Sequence, residues 1–143
     1  HFESREAMLA EAADRAGAAV NAAASRLLAT VPPEDALRTL IEAYFSKAHV
    51  DGIETGCPVS ALGSEMPRQS PEVRRAATLR IKEMIDLVAR QMPDWGQPAA
   101  HERALVTAAT MVGALVLSRA VDEPHLSEQL RRAALQKLAP AKS

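Results

Sequence analysis

Apolar residues recur at intervals of three and four along most of the chain, which is the repeat of one helical face. The cleanest stripe is Leu37, Leu40, Ile41, Tyr44, Phe45 and Ala48. Pro33, Glu34 and Asp35 stand ahead of it, a proline and two acids suited to the first turn of a helix. That helix is expected to run to about His49, before Asp51-Gly52. Another stripe, Val73, Ala77, Ile81, Met84, Ile85, Val88 and Met92, follows Ser70-Pro71-Glu72. This trio supplies an N-cap, a proline at the first helical position and an acid behind it. Leu79 and Leu87 fall off the stripe and ask for a second apolar contact. Between the two stripes lie a loop from Gly52 to Pro58 and a short helix from Pro58 toward Met66, stopped by Pro67.

Three further segments complete the pattern. An Ala-rich helix opens at Ser4, a good N-cap, and runs to about Thr30, because the residue before a proline leaves the helical region at Val31-Pro32-Pro33. A fifth helix spans about Ala99 to Val121, after the turn-rich Pro93–Pro98 connector. From Ala104 it is apolar nearly all round, so it should be buried on most sides. The sixth starts at Glu123-Pro124 and carries Leu126, Leu130, Ala133, Ala134 and Leu138, with Glu128 placed to pair with Arg132 one turn on. Residues 139–143 read as a tail. No convincing strand or internal repeat emerges, and the expected fold is one all-α domain of about six helices over residues 4–138.

The fifth helix has more apolar surface than one subunit of this size can cover. Ala109 and Gly113 are one turn apart, as are Thr110 and Ala114, and small residues at that spacing allow close helix crossing. Leu115 and Leu117 flank the patch, and Leu135 on the sixth helix lies off the main stripe. The last two helices are therefore expected to pair with their copies in a second chain as an isologous four-helix bundle, a homodimer. Its interface would draw on Thr110, Gly113, Ala114, Leu117, Leu130, Ala134 and Leu135.

Composition narrows the chemistry. The 17 basic and 18 acidic residues nearly balance, so the chain has no electrostatic footprint for nucleic acid. The longest uncharged run, Ala104 to Ser118, is too short for a membrane span, and the Ala-rich opening carries charges throughout, unlike a signal peptide. The expected setting is the cytoplasm, with no membrane partner. The single cysteine, Cys57, allows no intrachain disulfide. His49, Asp51, Glu54 and Cys57 fall close together, but without a paired C-x-x-C or H-x-x-x-H spacing they are not expected to hold a metal. Pro58 would set Cys57 beside a helix N-terminus, where a thiol becomes more reactive, so a thiol-based redox sensor is one alternative. The other reading of Cys57 is a small buried residue fixing the loop. A cleft bringing Cys57 beside His49 would favour the thiol or an enzyme. No nucleophile–base set or glycine-rich phosphate loop is present, and neither catalytic residues nor a cofactor are expected.

The first ten residues, His1-Phe2-Glu3-Ser4-Arg5-Glu6-Ala7-Met8-Leu9-Ala10, have the look of a motif's second half. His1, Phe2, Ser4, Arg5, Glu6 and Leu9 resemble the junction Y-x-H-F-x-S-[KR]-E-x-L of TetR-type transcriptional repressors, where the DNA-reading helix meets the long fourth helix. Gly56-Cys57-Pro58-Val59 with Ala61-Leu62, and the run Met111 to Asp122, are similar to segments of that family. The resemblance implies that residues 1–3 are the remnant of a helix-turn-helix domain, with operator DNA bound through the missing part. It implies dimerisation through the last two helices. It also implies a small, mostly apolar effector held inside each subunit, whose binding re-spaces the DNA heads. The second, fourth and fifth helices would then wall the cavity, with Tyr44, Phe45, Ile81, Met84, Ile85, Val88, Thr107 and Met111 on their inward stripes. Trp95 would close one end and His49 would face another. Tyr44 and Thr107 would orient the ligand, and the methionines would adapt to its shape. The alternative is a helical dimeric scaffold or interaction module that binds no ligand.

Overall fold

The computed structural model describes residues 4–53 and 56–140, all helix, turn or loop. The expectations resting on His1, Phe2, Glu54 and residues 141–143 lie outside the described residues. The helices are α1 (Arg5–Leu28), α2 (Pro33–Tyr44), α3 (Lys47–Asp51), α4 (Pro58–Leu62), α5 (Pro71–Arg90), α6 (Pro98–Ala120) and α7 (Pro124–Leu138), with a 3₁₀ turn over Gly63–Arg68 after α4.

Most ends follow from the capping chemistry. Ser4 Oγ accepts from Ala7 N–H at 3.0 Å and Ser70 Oγ from Val73 N–H at 3.4 Å, each satisfying a first-turn donor that has no partner inside its helix. Prolines stand at the first helical position of α2, α4, α5, α6 and α7, where a missing N–H costs nothing. The helix expected from Pro33 to His49 is instead broken at Phe45–Ser46. Ser46 Oγ caps His49 N–H at 3.2 Å and begins α3, so a side-chain hydrogen bond competes with continuation of α2. The expected short helix likewise tightens to a 3₁₀ turn at Gly63, which carries Pro67 inside it. At the other end, Ala139 is buried and the Pro140 carbonyl accepts both Arg38 Nε and Nη2 (3.2 and 2.8 Å), so order continues past Leu138 into the expected tail.

α1 lies along α5 in the most extensive helix pairing; α6 packs between α5 and α7, and α4 is held between α1 and α6. The core centres on Ile41, Val88, Met111 and Leu115, none more than 2% exposed. By length and apolarity α6 could pass for a membrane span. Yet its Ala100–Ala104–Thr107–Ala108–Met111–Leu115–Ser118 face is the middle of this core. A buried pair joins α6 to α7: Ser118 Oγ donates to Ala114 O (2.7 Å) and faces Ser127 O, while Ser127 Oγ donates to Ser118 O (2.8 Å). Each hydroxyl is thereby satisfied, as burial requires.

Candidate functional site

The break between α2 and α3 places a histidine where it organises everything around it. His49 Nε2 accepts the Cys57 N–H at 2.8 Å, which puts the ring proton on Nδ1, and Nδ1 donates to the Tyr44 carbonyl at 2.6 Å. Burial holds this imidazole below its ordinary pKa, and the nearby Arg119 charge acts in the same direction against the pull of the Tyr44 carbonyl. Gly56 follows from the ring's position, since a Cβ there would lie 2.4 Å from His49 Cδ2. Arg119 reaches across from α6 to donate to His49 O (2.6 Å), Val50 O (3.0 Å) and Ser60 Oγ (3.0 Å). One guanidinium thus ties the last carbonyls of α3 to α4. The imidazole does meet Cys57, but through the peptide N–H. With both ring nitrogens engaged by backbone, His49 has none left to activate the thiol.

Beside this latch a cleft of about 470 Å³ opens between α1 and α2. Its α1 wall is small: Ala16, Ala19, Val20, Ala23, Ala24 and Leu27; the facing wall is Leu40, Ala43, Tyr44, His49 and Gly56. Val20, Ala24, Leu40 and Tyr44 also border an inner pocket of about 50 Å³ that continues toward Cys57, Met84, Leu87, Val88 and Met111. The outer volume is that of an ordinary small-molecule site, and the inner one has room for a single small group.

Tyr44 stands at the junction of the two hollows. It is 9% exposed, its ring is edge-on to Phe45 (5.6 Å) and to His49 (4.7 Å), and its Oη is buried without a hydrogen-bond partner. Cys57 and Ser60 are near enough to influence the phenol, but neither meets it in hydrogen-bonding geometry. Burial, reinforced by Cys57, pushes its pKa well above the ordinary value, so the group is a neutral O–H donor.

The edge of the inner pocket is charged, with one guanidinium set between two carboxylates. Arg80 of α5 donates to Asp14 Oδ1 (2.9 Å) on α1 and to Glu83 Oε2 (2.7 Å), and Asn21 Nδ2 also donates to Glu83 Oε2 (3.1 Å). Arg80, then Asn21, hold the Glu83 carboxyl below the usual range. The stem of Arg80 crosses directly over Gly17, where a Cβ would come within 2.6 Å of Arg80 Cγ. Glycine is therefore needed at that crossing.

Tyr44, His49, Met84, Val88 and Met111 are brought together at the two hollows. Ile81 borders a separate small hollow with Met66 and Val59. Phe45 and Thr107 are buried in the core and Ile85 packs against it, and none of the three reaches the cleft. Trp95 is 59% exposed, beside Asp86, Gly96 and His101 and away from the cleft. The tight turn at Gly96 (φ +99°) and the Arg103–Asp94 ion pair fix its connector against the start of α6, so the expected lid is absent there. Conversely, α1 supplies a whole wall, and Gly17, Asn21, Cys57 and Arg80 join the lining. His49 was named from the sequence, whereas Gly56 as its neighbour and the alanines of α1 were not.

The predicted interface residues divide. Gly113 and Leu117 are exposed on α6, and nothing stands within 4 Å of a Cβ built on Gly113. Thr110, Ala114 and Leu130 are half-buried. Ala134 is buried in its own subunit's core, because its face of α7 is turned inward, and Ala114 and Leu135 pack partly against that core. Leu105, Val106 and Val116 extend the exposed apolar strip on α6. Among the described residues, no group of three or more His, Cys, Asp or Glu side chains is placed to hold a metal.

No curated protein matches the chain. A family model does, over residues 33–136, from the start of α2 to near the end of α7; its description is the C-terminal domain of LmrA/YxaF-like transcriptional regulators.

Proposed function

With more than half its length matched, the chain belongs to the TetR-type transcriptional regulators as an LmrA/YxaF-like C-terminal domain, and on that premise we propose that it is the effector-sensing and dimerisation module of a cytoplasmic repressor. A small, mostly apolar molecule enters between α1 and α2 and lodges with its body in the outer cleft. Two chains associate through the exposed strip of α6 and the adjoining face of α7. The DNA-binding head that precedes such domains in the family is carried by α1, and α1 is one wall of the cleft. A molecule that prefers one tilt of α1 shifts the population of head spacings by its difference in affinity for the two, and by no more than that.

The observation that carries this reading is the cleft itself: an apolar hollow of about 470 Å³ with Tyr44 and His49 on its wall. A helical scaffold gains nothing from such a space. Titration with the apolar fluorophore phenylnaphthylamine tests it. Saturable binding with one site per subunit is expected. Ala23→Trp, which fills the cleft from an exposed position on α1, should weaken it by about tenfold or more without changing the helical circular dichroism. Unsaturable binding indifferent to Ala23→Trp would reject the cleft as a site.

A further inference from the structure

We propose that the cleft releases its ligand to acid: a proton on His49 and an apolar molecule in the cleft exclude one another. The inference rests on the sensing reading and adds a regulation of the same site. Its basis is the double duty of one imidazole. The ring stands on the outer wall, in a cleft whose α1 side is alanine, valine and leucine. It also fastens the Gly56–Cys57 segment, in which Gly56 borders the outer cleft and Cys57 the inner pocket.

The fastening works in one protonation state only. Nδ1–H donates to Tyr44 O at 2.6 Å, so Nε2 accepts the Cys57 N–H at 2.8 Å only while it carries no proton. A second proton would set two N–H groups against each other across that distance. The ring has no room to turn aside, because Gly56 closes on the same edge: a Cβ there would lie 2.4 Å from Cδ2 and 2.6 Å from Nε2. The Cys57 amide must therefore withdraw, and with it the Gly56 part of the cleft wall. Among the described residues, the charge that acts on the ring is Arg119 of α6, a second cation. On α2, Glu42 is paired with Arg38 (3.2 Å), and on α3 itself Lys47 and Asp51 hold each other (3.0 Å). The short α4 carries no charged residue. An apolar molecule lying against this wall would thus bury an imidazolium without a counter-charge, which is costly. Burial first, and Arg119 after it, hold the ring below its ordinary pKa against the Tyr44 carbonyl, so the neutral, fastened form is the one present at neutrality.

Phenylnaphthylamine, neutral throughout, is titrated into the wild-type chain and into His49→Gln from about pH 8 to about pH 5, a range in which Glu83 stays ionised. The titration midpoint of His49 is read from its ring ¹⁵N shifts in the free protein. Wild-type affinity should be level above about pH 7 and fall below that midpoint, with a slope approaching about tenfold per pH unit. His49→Gln, whose amide can accept from Cys57 but takes no charge, should vary by less than about twofold over the same range. His101 and His125 are common to both chains and cancel in the comparison. In the free wild type, the hydrogen-exchange protection of the Cys57 amide should fall across the same midpoint. Affinity that is level through the midpoint, an equal slope in His49→Gln, or a Cys57 amide equally protected in both ring states would overturn the inference alone. Failure of the probe to bind even at about pH 8 would remove the sensing reading, and the inference with it.

Discussion

The two sides of α6 are almost equally apolar and have opposite fates. One side, Ala104, Ala108, Met111 and Leu115, is closed off by α5, α4 and α7 to 3% exposure or less. The other, Leu105, Val106, Val116 and Leu117, is 41–64% exposed. Hydrophobic pattern alone therefore says that a face must be covered, without saying by what. The difference lies in the neighbours. The inner side is matched by stripes on three elements of the same chain, and the outer side by none. Gly113, with open space around it, marks the centre of the uncovered side.

The largest expected effect tests the inner side. Leu115→Ala should lower subunit stability by about 2–5 kcal/mol in urea denaturation, because a fully buried leucine leaves a cavity. The same truncation at Leu117 should cost a small fraction of that. Leu117→Glu comes next: it should leave the helical spectrum intact while weakening self-association by about 100-fold in sedimentation or light scattering, as an unpaired charge in an interface centre does. Unchanged association would locate the dimer elsewhere. Gly113→Ala is subtler and distinguishes the two levels. It should stabilise the isolated subunit by about 0.5–1 kcal/mol, through helix propensity, and weaken association if a second chain crosses closely there.

The smallest effect is electrostatic. The folded-state pKa of His49 is lowered, so the stability tied to its neutral ring is complete above about pH 6.5 and is lost as pH falls below that value. Glu83 and Asp94 are held low by Arg80 and Arg103 and lose their contributions only below their ordinary values of 4.5 and 3.8. Between those limits, denaturation midpoints should decline gently in the wild type and remain flat in His49→Gln. The outer strip of α6 from Leu105 to Leu117 carries no ionisable residue, so association should change little over the same range.

What could be read from the sequence was whatever leaves a mark in residue type. Serine caps and first-turn prolines fixed the helix starts, and stripes at helical spacing found Tyr44, Met84, Val88 and Met111. The break at Phe45 was missed although Ser46 advertised it, because the apolar stripe runs through to Ala48 and outweighed one capping residue. The α1 wall was not legible for a deeper reason. A cleft is missing volume, and Ala16, Ala19 and Ala23 look the same whether they admit a neighbouring helix or leave room for a guest. Trp95 misled in the other direction, since a large aromatic in a loop suggests a lid unless the turn that aims it outward is known. The Arg80 network needs α1 and α5 side by side, which pairs residues more than sixty positions apart in the chain.

The chain holds one tyrosine and one tryptophan, and the fold has separated them. Tyr44 borders the cleft, whereas Trp95 sits in water beside the start of α6. Indole emission, the usual optical handle on a small protein, is thus blind to whatever occupies the hollow. A compound screen that follows it would discard genuine binders, while one that follows the phenol, or a dye displaced from the α1 wall, would keep them.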